Sequence, residues 1–236
     1  MRMDTRWARL AAACGALYPI ALVVGDDVIA RGDEAAPDAG TPDEILAAMI
    51  DKDVTSFYLG RSLGVAAWML LFVFAAHLAV TLRRRRGNDD VLPALVLGSG
   101  AIVTALALAS AVFQIRTVRR AGDGLDPTTA VTFLDMGFGF GLVALPLAVL
   151  LGAVAVEATA GAIMARSLGW AAAVLAIAQL AGFVLLMLDN AAGFLAMMAT
   201  WAWFIAAGIS TWRRAAYLAP SDPRRSAGVP GVVGEV

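Results

Sequence analysis

The stretch that most constrains this chain is Phe57 to Arg86, which reads FYLGRSLGVAAWMLLFVFAAHLAVTL and then RRRR. About 20 helical residues cross the hydrocarbon core of a bilayer, so the apolar run is long enough to span it with some tilt. The arginines at 83–86 cannot follow it in, so they are expected to stop the helix and mark a cytoplasmic end. The same stretch holds two ionisable groups within apolar sequence, Arg61 and His77.

Composition extends that reading to the whole chain. Of 236 residues, 60% are hydrophobic and 16% charged, against roughly 25% charged in a soluble domain. Six apolar segments use more than half the length, which leaves no room for a separate soluble domain. One cysteine, Cys14, excludes an intrachain disulfide and a cysteine metal cluster, and one histidine, His77, excludes a multi-histidine metal site. No cofactor and no nucleic-acid partner is expected. Seventeen arginines against one lysine, with abundant alanine, point to a GC-rich bacterial genome.

The predicted fold is all-α: a single membrane domain over 1–214 with six transmembrane helices at about 7–26, 57–82, 91–115, 128–157, 169–188 and 192–212. A Pro-, Gly- and Ser-rich tail, 215–236, is expected to be disordered. The first segment resembles a secretory signal peptide, but five further apolar segments follow it and no clean small-x-small site precedes Asp26-Asp27. The outer loop, 27–56, is acidic and contains Thr41-Pro42-Asp43-Glu44. There Thr41 can cap, Pro42 fits the first helical position and Glu44 can close a capping box, which predicts a short amphipathic helix at 42–51. Asp126-Pro127 marks the start of the fourth spanning helix in the same way. Orientation follows from Lys and Arg: with both termini cytoplasmic, twelve lie inside and five outside. Arg116, Arg119 and Arg120 run against that count. The expected location is the bacterial inner membrane.

Asp135 is the most informative single position. A carboxylate central in a membrane helix costs ~2.5–3.5 kcal/mol on insertion scales, so it normally faces protein or water and has a partner. Arg61, four residues into the second helix from the same side, is the obvious one, with Gln114 at similar depth and Asp26, Asp27, Asp189 and Asn190 around the rim. Two readings stay open: a ligand-, ion- or proton-binding pocket facing outward, or an Arg61–Asp135 pair that fixes helix register. His77 lies roughly 24 Å further along its helix; it is either a pH-sensitive group able to relay protons or a histidine bonded to a neighbour. Gly137 and Gly141 have the small-x-x-x-small spacing of close helix packing, and Gln179 is placed for an interhelical hydrogen bond. Ser99, between two glycines, has no pairing with His77 that would make it a nucleophile, and the absence of an intramembrane lysine rules out a retinal Schiff base.

The opening RWARLAAACGALYPIALVVG, the Arg61-Ser62-Leu63-Gly64 start of the second helix with its RRRR end, and LLGAVAVEATAGAIMARSLGWAAAVL resemble a family of six-helix bacterial integral membrane proteins known only as a domain of unknown function. The resemblance covers 6–214 and departs where Ser167 stands in place of the proline common before Leu-Gly. It implies a six-helix bundle and no activity. Three functions compete at this point: a non-enzymatic accessory, scaffold or sensor protein working through membrane or extracytoplasmic partners, a small transporter or ligand-binding protein using Arg61, Gln114 and Asp135, and an intramembrane lipid-modifying enzyme.

Overall fold

The computed structural model describes the backbone over 5–31, 41–51, 53–86, 90–137, 141–160, 163–186 and 192–217, and the side chains of most of these residues. The middle of the acidic loop, Asp189, Asn190 and the tail from 218 onward lie outside the described residues. Among the described residues there are eight α-helices and no strand: α1 Thr5–Arg31, α2 Pro42–Ile50, α3 Val54–Arg86, α4 Leu92–Ala121, α5 Pro127–Gly137, α6 Gly141–Ala158, α7 Arg166–Leu186 and α8 Ala192–Tyr217. Five of them, α1, α3, α4, α7 and α8, are long and apolar enough to cross a membrane. The chain is therefore a multi-pass helical membrane protein.

Local sequence explains the starts of α2, α3 and α5. Thr41 closes a capping box: Glu44 N–H donates to Thr41 Oγ1 and Thr41 N–H donates to Glu44 Oε2 at 2.7 Å. Asp53 accepts from Thr55 N–H at 3.0 Å and from the Ser56 hydroxyl at 2.6 Å, starting α3. Asp126 accepts from Thr129 N–H at 2.9 Å, with Pro127 as the first residue of α5. Between α4 and α5 the chain turns through Gly124, whose φ of 79° suits glycine.

Several helices run further than the sequence expectation: α1 continues through Asp26-Asp27 to Arg31, and α8 through Arg213-Arg214 to Tyr217, so that residues 215–217 of the expected disordered tail are helical. α3 does not stop at the arginines but runs through all four, because arginine is a good helix former and its charge suits a helix C-terminus. Arg86 Nε donates to Glu157 at the end of α6, and Arg86 Nη1 donates to Asp90 at 2.9 Å. In the same way α4 continues past Ile115 to Ala121, carrying Arg116, Arg119 and Arg120 in helix. Within the segment expected as one helix, 128–157, the described residues form α5 and α6, and residues 138–140 lie outside the described residues.

The six long or apolar helices pack in chain order as a ring: α1 on α3, α3 on α4, α4 on α6, α6 on α7, α7 on α8, and α8 back on α1. One continuous apolar cluster fills the interior, with all six contributing. Between α1, α3 and α8 it is aromatic, with Tyr18 5.2 Å from Trp68 and 5.4 Å from Phe204, and Phe204 6.1 Å from Phe74. Outward faces are apolar as well; on α7, Trp170, Val174, Ile177, Leu180 and Val184 form an exposed stripe suited to lipid. α2 lies against the bundle, its Met49 buried on Ala121 of α4 and Ala130 of α5.

Candidate functional site

Two helices cross backbone to backbone near one end of the ring, and the polar groups collect beside that crossing. A Cβ on Gly25 of α1 would meet Gly60 O at 2.8 Å and Gly64 N at 3.3 Å; one on Gly60 would run into Gly25 O and Ile29. Only glycine permits this approach. Asp26 follows Gly25, and Arg61 follows Gly60, so the crossing brings an acid and a base to one place. The two lie close enough for their charges to attract.

Both line a small cleft, about 40 Å³, between α1, α3, α4 and α8, together with Gly64, Trp68, Ser110 and Trp201. That volume holds two or three waters. A Cβ on Gly64 would meet nothing within 4 Å, so this glycine opens space where its neighbour Gly60 closes it. Trp201 Nε1 and the fully buried Tyr18 hydroxyl are buried side by side as hydrogen-bonding neighbours, without a closer partner for either among the described residues. Arg61 also stacks over Phe57, its Cζ 5.5 Å from the ring centre.

The depth of Arg61 follows from α3 itself. Ser62 to Leu82 is a stretch without Asp, Glu, Lys or Arg, roughly 31 Å long at 1.5 Å per residue. That matches the ~30 Å hydrocarbon thickness, which places Arg61 at one interface and Arg83 at the other.

Of the residues singled out in sequence, Arg61 lines the cleft, and Gln114, buried in α4, donates to Ser110 Oγ at 3.4 Å and so stands one turn behind it. Asp135 belongs to α5, which packs on α4 and α2; its side chain, and with it the expected pair with Arg61, lies outside the described residues. His77 is buried in α3 near the opposite end, with no partner for Nδ1 among the described residues. Sequence reasoning set Asp26 on the rim of the polar group but gave Arg61 a different acidic partner, Asp135. The available signal was Gly60-Arg61-Ser62-Leu63-Gly64, a small-x-x-x-small motif with an arginine inside it. Among the described residues no group of three or more His, Cys, Asp or Glu could hold a metal ion.

Comparison of the chain with protein-family models, with curated proteins and with solved structures finds no match.

Proposed function

We propose that this is a six-crossing protein of a bacterial inner membrane, with both termini cytoplasmic, that works as a non-enzymatic accessory, scaffold or sensor subunit through other proteins. The observation behind this reading is the filled interior: the aromatic group of Tyr18, Trp68, Phe74 and Phe204 occupies the space between α1, α3 and α8, and the adjoining cleft has room only for a few waters. The sixth crossing would be made by α5 and α6 in series. α5 begins beside Ala121 at the last turn of α4, and α6 ends at Glu157, bonded to Arg86 at the last turn of α3. Kinship with the six-helix family of unknown function belongs to the same proposal. The test is mild solubilisation of the full chain from its native membrane, with and without crosslinking. A stoichiometric protein partner is expected; a lone monodisperse protein in both preparations would refute the reading.

A second reading is favoured by the mixed lining of the cleft, where Asp26, Arg61 and Ser110 stand beside Trp68 and Trp201: a binding site for a small polar ligand in the outer half of the bundle. Trp68 and Trp201 both line the cleft, so occupancy should change intrinsic fluorescence. Titration with small carboxylates and phosphate esters should then give a saturable change that Arg61→Gln abolishes. No saturable change in the wild type, or an unaltered one in the variant, would remove this reading.

A further inference from the structure

At the C-terminal end of α4, beyond the residues that line the Arg61 cleft, Arg116, Arg119 and Arg120 line a concave basin of about 360 Å³ with Asp123. The three guanidinium groups are exposed, and among the described residues none is in an ion pair. We propose that this basin binds the phosphate of an anionic phospholipid in the leaflet at that end of the bundle.

Three observations carry this. The first is charge: among the described lining residues three arginines stand against one aspartate, and the planar guanidinium fork matches a phosphodiester with paired hydrogen bonds. The second is rigidity. The other face of the same turns, Thr117, Val118 and Ala121, is buried, and Ala121 is covered by Met49 of α2. The arginines are therefore carried on a helix that is fixed in rotation. The third is continuity with an apolar surface. Ile102, Ala105, Ala109 and Val112 are exposed and recur every three or four residues, so they share a face with Arg116. From Ile102 to Arg116 is roughly 21 Å along the helix, more than the ~15 Å depth of one leaflet's hydrocarbon. An acyl chain lying on this stripe delivers its phosphate to the basin. Free phosphate would use the arginines alone and leave the stripe without a role, which is why the lipid is the assigned occupant. The same assignment accounts for the three basic residues that oppose the inside–outside count of Lys and Arg.

The experiment is native mass spectrometry of the delipidated full chain with added phosphatidylglycerol or phosphatidylcholine. The wild type should retain phosphatidylglycerol in roughly tenfold preference or more, and excess inorganic phosphate should not displace it. The triple variant Arg116→Gln, Arg119→Gln, Arg120→Gln should lose the preference, whereas Arg83→Gln, Arg84→Gln, Arg85→Gln, at the opposite end, should keep it. Equal retention of the two lipids by the wild type overturns the proposal. So does displacement by inorganic phosphate, which would mark a site for free anions, and so does an equal loss in both triple variants, which would mark diffuse charge. The two wild-type comparisons need no variant and decide the matter even if a triple variant fails to fold.

Discussion

Gln179 shows how much one polar side chain does inside an apolar bundle. It is buried in α7, and its Nε2 donates to Thr200 Oγ1 at 2.7 Å and to Ala196 O at 3.3 Å, both on α8. The position was legible because a lone amide midway along an apolar helix has little alternative to a neighbouring helix. Interhelical bonds in membranes average ~0.6 kcal/mol and reach ~1.7. With two acceptors, Gln179→Leu should lower stability by about 1 kcal/mol, measured by reversible unfolding in mixed micelles. An unchanged stability would mean that the amide's desolvation cancels its bonds. Arg61 was legible for the same reason, as a charge within apolar sequence. Its neighbour Asp26 was legible as a rim residue, but its closeness to Arg61 was not, since that depends on the crossing of α1 and α3. Glu157 was equally hidden: its bond to Arg86 joins residues 71 apart, and nothing in either local sequence announces the other.

Capped helix starts were well written in the sequence, because capping is local chemistry, whereas the far ends of α3 and α4 ran past their expected bounds. Thr41-Pro42-Asp43-Glu44 and Asp126-Pro127 state their own geometry within four residues. Helix pairings were not, because they depend on which faces touch. Here small residues decide: Gly60 meets Gly25, and Gly208 of α8 sits against Ala12, Gly15 and Ala16 of α1. Gly60→Leu should separate α1 from α3 and destabilise the bundle by at least ~2 kcal/mol. Gly64→Ala, four residues on and facing open space, should stay within about 0.5 kcal/mol of the wild type; unfolding of the two variants side by side tests both. The caps also predict a pH response. Hydrogen bonds from Ser56 and Thr55 hold Asp53 below the usual aspartate range, and those from Leu92 N–H and Arg86 do the same for Asp90. A carboxyl with a depressed folded-state pKa stabilises the fold above its unfolded value, about 3.9. That contribution fades as pH falls from there through the folded value. Amide exchange at Thr55 and Leu92, corrected for intrinsic rates, should therefore speed up selectively below about pH 4, and Asp53→Asn should remove the pH dependence at Thr55.

For the molecule as a whole, hydropathy disclosed the helical membrane class and nearly all the apolar segments, because burying a backbone in lipid leaves few options. It did not disclose the ring, which is set by side-chain volume at the seams. The positions of charge give the whole molecule two distinct ends. Arg83 to Arg86 and Glu157 mark one; Arg116, Arg119, Arg120 and α2 mark the other. An impermeant thiol reagent should therefore label Arg85→Cys and Asp123→Cys from opposite sides of the membrane, in a Cys14→Ala background. Labelling of both from one side would mean that α4 does not cross.

Closure of the ring also sets the order of its making. α1 is synthesised first and α8 last, yet they are neighbours through Gly208. Roughly 160 residues separate the end of α1 from the start of α8, so at ribosomal speed α1 spends roughly ten to thirty seconds in the bilayer with that flank uncovered. During that interval the Ala12–Gly15–Ala16 surface is a vacant, close-packing seam in a membrane crowded with other nascent helices. The newborn chain is then most open to capture by a foreign helix, or to protection by an insertion factor that holds the seam until α8 arrives.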